Sequence, residues 1–366
     1  MTTDYPRHFV HIELSTKCAL KCPRCPRTEM KGMYHVGELS LEFIKTSFDQ
    51  IANEIEQINI CGGQGDPIYN TQFLDIIRYF KGLPKNPHLK IITNGSYKSK
   101  EWWDELGTIL QPNDTVTFSI DGWDDESNNK YRVGSDFDSI LQGVKSMVNS
   151  KAIVRWSTII FKFNQDKIKD IISLAKSLGI DSFDITKSAL FGSKFFGYKD
   201  DVLGYDPLEP DEEYVSSFGG RWGKFTESLT GNRVYPPYKF DKEQFEERRN
   251  NWLDNYVIPI CKCTGLLYID VEGILYPCSW VSHPFNIKKG VYSGRRIKWS
   301  DNFWTKHKDE MNLHKNTFNE IMNSKPWKIL EATWNDLDKC FLECENKCLN
   351  DSVEYKKLWR QKWGVK

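Results

Sequence analysis

The ten cysteines of this 366-residue chain fall in groups, at 18, 22 and 25, singly at 61, at 261, 263 and 278, and at 340, 344 and 348. That is far too sparse for a disulfide scaffold, and clustered thiols in such a chain point to metal or redox chemistry. The first group reads Cys18-x3-Cys22-x2-Cys25 in STKCALKCPRCPR. The same spacing would suit one face of a buried helix, but Pro23 and Pro26 each remove an amide donor and clash with the preceding turn. What is left is a loop wrapped round an ion or a cluster. Structural zinc wants four protein ligands, so here it would draw on His11 or His35. Three thiolates on a cubane instead leave one iron with an open position.

These residues need a frame to hold them. Short apolar runs predict strands at His8 to Leu14, Gln57 to Cys61, Leu89 to Thr93, Thr115 to Ile120, Ile153 to Phe161 and Ser182 to Thr186. Helical periodicity fills the gaps, at Leu41 to Glu54, Gln72 to Phe80, Glu101 to Leu110, Phe137 to Val148 and Asp166 to Leu178. Alternation of this kind predicts an α/β fold of right-handed βαβ units, a parallel sheet or barrel with its ligands at the strands' C-terminal ends. The cysteine loop follows the first strand. Gly62-Gly63-Gln64-Gly65-Asp66-Pro67 follows the second, Thr93-Asn94-Gly95 ends the third, Ser119-Ile120-Asp121-Gly122 ends the fourth, and Tyr131-Arg132-Val133-Gly134 comes soon after. Each alone is ordinary turn chemistry; together and in this order they share one end of the sheet.

In this arrangement the chain resembles the radical S-adenosylmethionine (radical SAM) superfamily over about residues 8 to 190. The resemblance implies a partial (β/α)6 TIM-like barrel in which Cys18, Cys22 and Cys25 hold a [4Fe-4S] cluster whose open iron is chelated by S-adenosyl-L-methionine. It further implies cofactor contacts from Gly62, Gly63, Gln64, Gly65 and Asp66 toward the amino group, and from Ser119 and Arg132 toward the carboxylate, the fork of an arginine suiting that group; Asp121 belongs to the same cofactor-binding set. Asn94 joins them at the end of the third strand. Asp66 stands where the family usually has Glu, and Arg24 where an aromatic residue often packs on the adenine; a guanidinium can stack there too. The implied chemistry is reductive cleavage to a 5′-deoxyadenosyl radical that abstracts hydrogen from a C–H bond, fed by a low-potential donor such as flavodoxin or ferredoxin.

Toward the C-terminus a strand pair is predicted about Glu272-Gly273, flanked by Cys261-x-Cys263 and Gly273-x4-Cys278, and Cys340, Cys344 and Cys348 follow at i, i+4 and i+8. Core packing or zinc would also account for cysteines on a helix face. The pattern resembles the SPASM and twitch extensions of radical enzymes over about residues 259 to 350, which implies at least one auxiliary [4Fe-4S] cluster. Cys261, Cys263, Cys278 and Cys348 are expected as its ligands, with Cys340 and Cys344 as alternates or as ligands of a partial second site. The expected organisation is a radical SAM partial barrel at 1–194, a connecting or substrate-shaping segment at 195–258, rich in acidic residues in its first half, and a small α+β auxiliary-cluster domain at 259–366.

Composition narrows the function. Fifty Lys and Arg balance fifty Asp and Glu, which gives no overall attraction to nucleic acid or an anionic membrane. No apolar run approaches a spanning helix and no secretory signal opens the chain, so a cytoplasmic protein is expected. With few residues ahead of the first strand no leader-binding domain is expected, so a free small molecule, or a peptide recognised by the 195–258 segment, is the expected kind of substrate. The expected substrate is a peptide side chain or a small polar metabolite. A non-catalytic electron or cluster carrier is the first alternative, though it would have no use for an amine-binding loop. Modification of a nucleotide or nucleic acid is the second, resting on the basic run Lys356-Lys357-Leu358-Trp359-Arg360. Ser279 follows Cys278 where sulfatase-maturating relatives carry an Asp base, which directs attention to Asp206 or Asp211 as substitutes.

Overall fold

The computed structural model describes residues 9–29, 34–187, 257–282 and 303–336 continuously, with shorter stretches between 206 and 255 and between 339 and 349. The basic run at 356–360 lies outside the described residues. Strands β1 (Phe9–Ile12), β2 (Gln57–Ile60), β3 (His88–Thr93), β4 (Thr115–Ser119), β5 (Ile153–Ile160) and β6 (Ser182–Lys187) pair in parallel in chain order, as their alternation with helices requires. The helices are α1 (Pro26–Glu29), α2 (Leu41–Phe48), α3 (Phe73–Lys81), α4 (Lys100–Ile109), α5 (Asp125–Asn129), α6 (Phe137–Val148) and α7 (Ile168–Ser177). Their starts are chemically marked: the side chains of Ser40, Ser99, Asp124 and Asp136 each accept an amide of the first turn.

One face of the sheet is apolar and the other is not. Val10, Ile58 and Leu89 stand side by side in register, as do Ile12, Ile60, Ile91, Val116 and Val154, with Phe118 and Trp156 paired two residues further along. All are buried, with Phe80, Trp103, Leu106, Ile140 and Val144 of the helices in the same core. The opposite face carries His11, Asn59, Lys90, Ser119, Ser157 and Ile159, which are half-buried, and Ile92, which is exposed. A strand turns successive side chains to opposite faces, so the sequence alternation builds an open, largely polar concave surface behind a helix-covered core.

Both edges continue beyond the six expected strands. Strand β7 (Lys224–Ser228), drawn from the second half of the connecting segment, adds antiparallel to β6. On the other side β8 (Leu266–Ile269) pairs parallel to β1 and forms a hairpin with β9 (Leu275–Tyr276), giving one sheet in the order β7-β6-β5-β4-β3-β2-β1-β8-β9 among the described residues. The C-terminal hairpin therefore shares the barrel's sheet, and the chain avoids an open β1 edge. Around it lie α8 (Ile260–Thr264), α9 (Phe318–Asn323) and α10 (Lys325–Ala332). No helix among the described residues is long and apolar enough to cross a membrane.

Candidate active site and C-terminal cysteine cavity

The loops at the C-terminal ends of β1 to β4 converge on the first cysteine group. The Gly-rich loop is tied to the cysteine loop where the Asp66 amide donates to the Lys17 carbonyl at 3.0 Å. A Cβ on Gly65 would stand 2.3 Å from the Ser15 carbonyl oxygen, and one on Gly62 equally close to the Gly65 carbonyl, so glycine is the residue that lets these backbones touch. Asn94 donates from Nδ2 toward Cys18 Sγ at 3.6 Å. Lys21 donates its amide to the Val133 carbonyl at 2.8 Å, bringing the Arg132 turn against the cysteines, and Arg132 itself hydrogen-bonds the Cys22 side chain. Motifs spread over more than a hundred residues thus meet within one loop cluster.

Inside that cluster the polar groups hold one another. Asp66 accepts from Thr93 Oγ1 at 2.9 Å, the Asn94 amide at 2.6 Å, Asn94 Nδ2 and the Ile68 amide, and so locks the second loop to the third. Burial raises its carboxyl to about 6 against those hydrogen bonds. Asp121, fully buried, accepts Arg132 Nε at 2.6 Å and the Ile159 amide at 2.7 Å. Burial pushes Asp121 up while Arg132 pulls it back, and the charge of Asp121 keeps Arg132 firmly protonated. Ser119 is half-buried at the end of β4, in register with Ser157 on the polar face. Burial moves Cys18 to about 12 and Cys22 to about 11, so both are neutral thiols until a metal displaces their protons.

Of the two histidines weighed as a fourth ligand, His11 is engaged elsewhere: its Nε2 sits 3.1 Å from the Cys61 carbonyl and its ring meets Tyr268 edge-on. His35 is exposed, its ring over Gly37. Among the described residues no three His, Cys, Asp or Glu side chains form a group tight enough for a single metal ion. Arg24, expected at the adenine, has a left-handed backbone and is gripped through Nε and Nη2 by Asp206 at 3.0 and 3.1 Å. Asp211 is bound by Lys162 and Gln165, and the lysine hydrogen bond holds its carboxyl below the usual range. Both carboxylates considered as substitute bases are thus committed to partners that pin the 206–211 stretch over the end of β5.

At the far edge a second cysteine site takes form. The Val257 amide donates to the Trp334 carbonyl and the Ile258 amide to the Cys348 carbonyl, drawing the tail onto the hairpin. Between them lies an apolar cavity of about 270 Å³ whose walls include Cys261, Cys278, Cys344 and Cys348, with Trp280 and Trp334. Four cysteines thus stand round one apolar cavity. The cavity wall includes Cys344 and not Cys263. Two residues apart on α8, Cys261 and Cys263 face different sides, and Cys263 is buried; Cys344 and Cys348 both line the cavity. Cys340 is also buried, its thiol 3.5 Å from the Phe341 carbonyl.

One residue of the site went unnoticed in the sequence. Glu13 is wholly buried at the end of β1, and its Oε1 accepts the Gln64 amide of the Gly-rich loop at 2.6 Å. An ionisable residue amid the apolar run FVHIEL, two after His11, was the available signal.

Residues 12–186 match the model of the Radical SAM superfamily. Among curated proteins the chain is similar to GTP 3′,8-cyclase of Nautilia profundicola, 21% identical over 310 residues, spanning 80% of this chain and 87% of that protein. It is also similar to AdoMet-dependent heme synthase of Methanosarcina barkeri, 26% identical over 184 residues, about half of each chain. Among solved structures, anSMEcpe with bound AdoMet and Cp18Cys peptide superposes with a TM-score of 0.52 at 13% identity, covering 98% of this chain and 96% of that one, which establishes a shared fold.

Proposed function

We propose that this radical SAM enzyme, whose defining domain spans residues 12–186, removes a hydrogen atom from a C–H bond of a small polar metabolite or peptide side chain. The observation that carries this reading is the convergence of Cys18, Cys22 and Cys25 with the Gly-rich loop, Asn94 and Arg132 at one end of the sheet. With a [4Fe-4S] cluster on the three cysteines and S-adenosyl-L-methionine bound, the cofactors supply the radical chemistry. The chain's own part is position: Gly62 to Asp66 would receive the amino group, and Arg132, aimed by Asp121, the carboxylate. The partly exposed polar face of Ser119, Ser157, Asn59 and Lys90 offers hydrogen bonds to a substrate rather than a greasy slot. The cavity of Cys261, Cys278, Cys344 and Cys348 would hold an auxiliary [4Fe-4S] cluster, with electrons arriving from a flavodoxin- or ferredoxin-like donor.

A nucleotide is the second reading for the substrate, favoured by the similarity to GTP 3′,8-cyclases across four-fifths of the chain. Anaerobic reconstitution with dithionite and S-adenosyl-L-methionine tests the common core. 5′-Deoxyadenosine should form in the wild type and vanish when Cys18, Cys22 and Cys25 are replaced by Ala; its persistence in the triple variant would overturn the reading. Mass spectrometry of GTP and of candidate metabolites and peptides then separates the substrates.

A further inference from the structure

The seam between β1 and β8 buries acidic groups for which the cofactor assignment has no role. Besides the Gln64 amide, Glu13 accepts the Gly63 amide, and its Oε2 accepts the Tyr268 hydroxyl of β8 at 3.2 Å. Just past β8, Asp270 accepts the Glu272 and Ile274 amides, both at 2.9 Å, and the Tyr276 hydroxyl at 3.0 Å. No ion pair reaches Glu13 among the described residues, so a buried carboxylate is held there by neutral donors alone. Such a group is costly to bury unless its hydrogen bonds are all made. Two of its three donors belong to the loop assigned to the cofactor's amine.

We propose that Glu13 is a positioning residue for that amine, fixing the Gly63 and Gln64 amides from behind and coupling cofactor binding to release of a proton. The inference rests on the assignment of the Gly-rich loop to S-adenosyl-L-methionine made above. Its logic is the charge of the acceptor. An ionised carboxylate accepts from all three donors with its full charge; a protonated one can keep Tyr268 by donating to the hydroxyl oxygen but meets the loop amides only as a neutral, weaker acceptor. The 2.6 Å contact with the Gln64 amide is the short, charge-assisted kind that the ionised form makes. An ammonium group arriving on the loop's other side favours the same form by charge.

The surroundings set where this happens. Burial, aided by the charge of Asp270, raises Glu13 to about 7, against the pull of the Gln64 and Gly63 amides and the Tyr268 hydroxyl. The other titratable groups facing it are His11 on β1, lowered by burial and neutral; Cys61 beyond β2, raised to about 12; Tyr268 and Tyr276, raised well above the usual range; and Asp270, raised to about 7. Asp66, at the loop's far end, lies at about 6. Between pH 6 and 8 the charge next to the Gln64 amide is thus governed by Glu13 and Asp270.

The test is calorimetric titration of S-adenosyl-L-methionine into the anaerobically reconstituted protein at pH 6, 7 and 8, in buffers of differing ionisation heat. Wild type should gain about tenfold in affinity from pH 6 to 8, as linkage to one group near 7 requires, and release up to one proton per cofactor bound. Glu13→Gln should keep its iron, lose the pH dependence and bind about tenfold more weakly at pH 8. Tyr268→Phe, which removes a donor, should move the midpoint up, and Asp270→Asn, which removes a like charge, should move it down. Wild-type affinity and pH profile in Glu13→Gln would overturn the proposal and leave the cofactor assignment standing. Unmoved midpoints in both neighbouring variants would do the same even if Glu13→Gln failed to fold. No binding by the wild type would overturn both.

Discussion

Arg132 and Asp121 show how a single pair ties stability to the site. Asp121 is fully buried and Arg132 nearly so, and each is the other's compensating charge. Removing one partner of such a pair leaves the other uncompensated, at a cost of about 3 kcal/mol, whereas removing both costs less. Asp121→Asn should therefore lower the denaturation midpoint clearly, and Asp121→Asn with Arg132→Gln should recover part of the loss; equal loss in both variants would show that the pair carries no coupling. Glu13 and Asp270 make a second residue-scale case through pH. Both are raised to about 7 in the folded chain by burial, above the range they have when unfolded. The folded state then holds protons that the unfolded state has given up. This contribution is complete below about pH 4, is lost as pH rises through about 7, and is flat beyond. Thermal melts between pH 5 and 8 should fall with pH in the wild type and flatten in a Glu13→Gln, Asp270→Asn double variant.

At the scale of elements, the sheet and its helices are matched by small residues where they meet. Helices α4 and α6 cross with Gly143 against the buried Trp103, and a Cβ at 143 would lie 2.5 Å from the indole Nε1. Gly143→Ala should push the helices apart and cost about 1 to 3 kcal/mol despite alanine's better helix propensity; a stabilised variant would mean that the indole yields freely. The Gly-rich loop answers to the same logic more strictly. It packs backbone to backbone against the buried residues after β1, where no flexible side chain can yield, so Gly65→Ala should both weaken cofactor binding and lower the melt at least as much as Gly143→Ala; an unchanged melt would show that the loop moves away freely. The helical expectation at Leu41 to Glu54 also meets its limit at this scale: α2 closes at Phe48 and a tighter 3-10 turn, Asp49–Ile51, takes over.

At the scale of the whole molecule, the distribution of the cysteines makes a counting experiment decisive. Replacing Cys261, Cys278, Cys344 and Cys348 together by Ala should remove about four irons per chain while those bound by Cys18, Cys22 and Cys25 stay. Cys263→Ala and Cys340→Ala should keep the full iron content and lose only packing. Loss of iron from Cys263→Ala would move the ligand set back to the one that the family resemblance implies.

Strand and helix periods, turn glycines and the first cysteine triplet are local properties, which is why the order of β1 to β6, the helices between them and the grouping of motifs at one sheet end could be read from residues 8 to 190 directly. A period of two places His11 and Glu13 on one face whatever the rest of the chain does. What the sequence alone left undecided are the long-range choices. That β8 docks on β1, that β7 leaves the connecting segment for β6, that Asp206 takes Arg24, and that Cys344 rather than Cys263 lines the cavity all depend on segments far apart in the chain. Nothing local distinguishes one buried thiol or one edge from another. The choice falls to packing and to hydrogen-bond satisfaction in the assembled sheet, where an unpaired β1 edge or an uncompensated Arg24 would cost more than the alternatives.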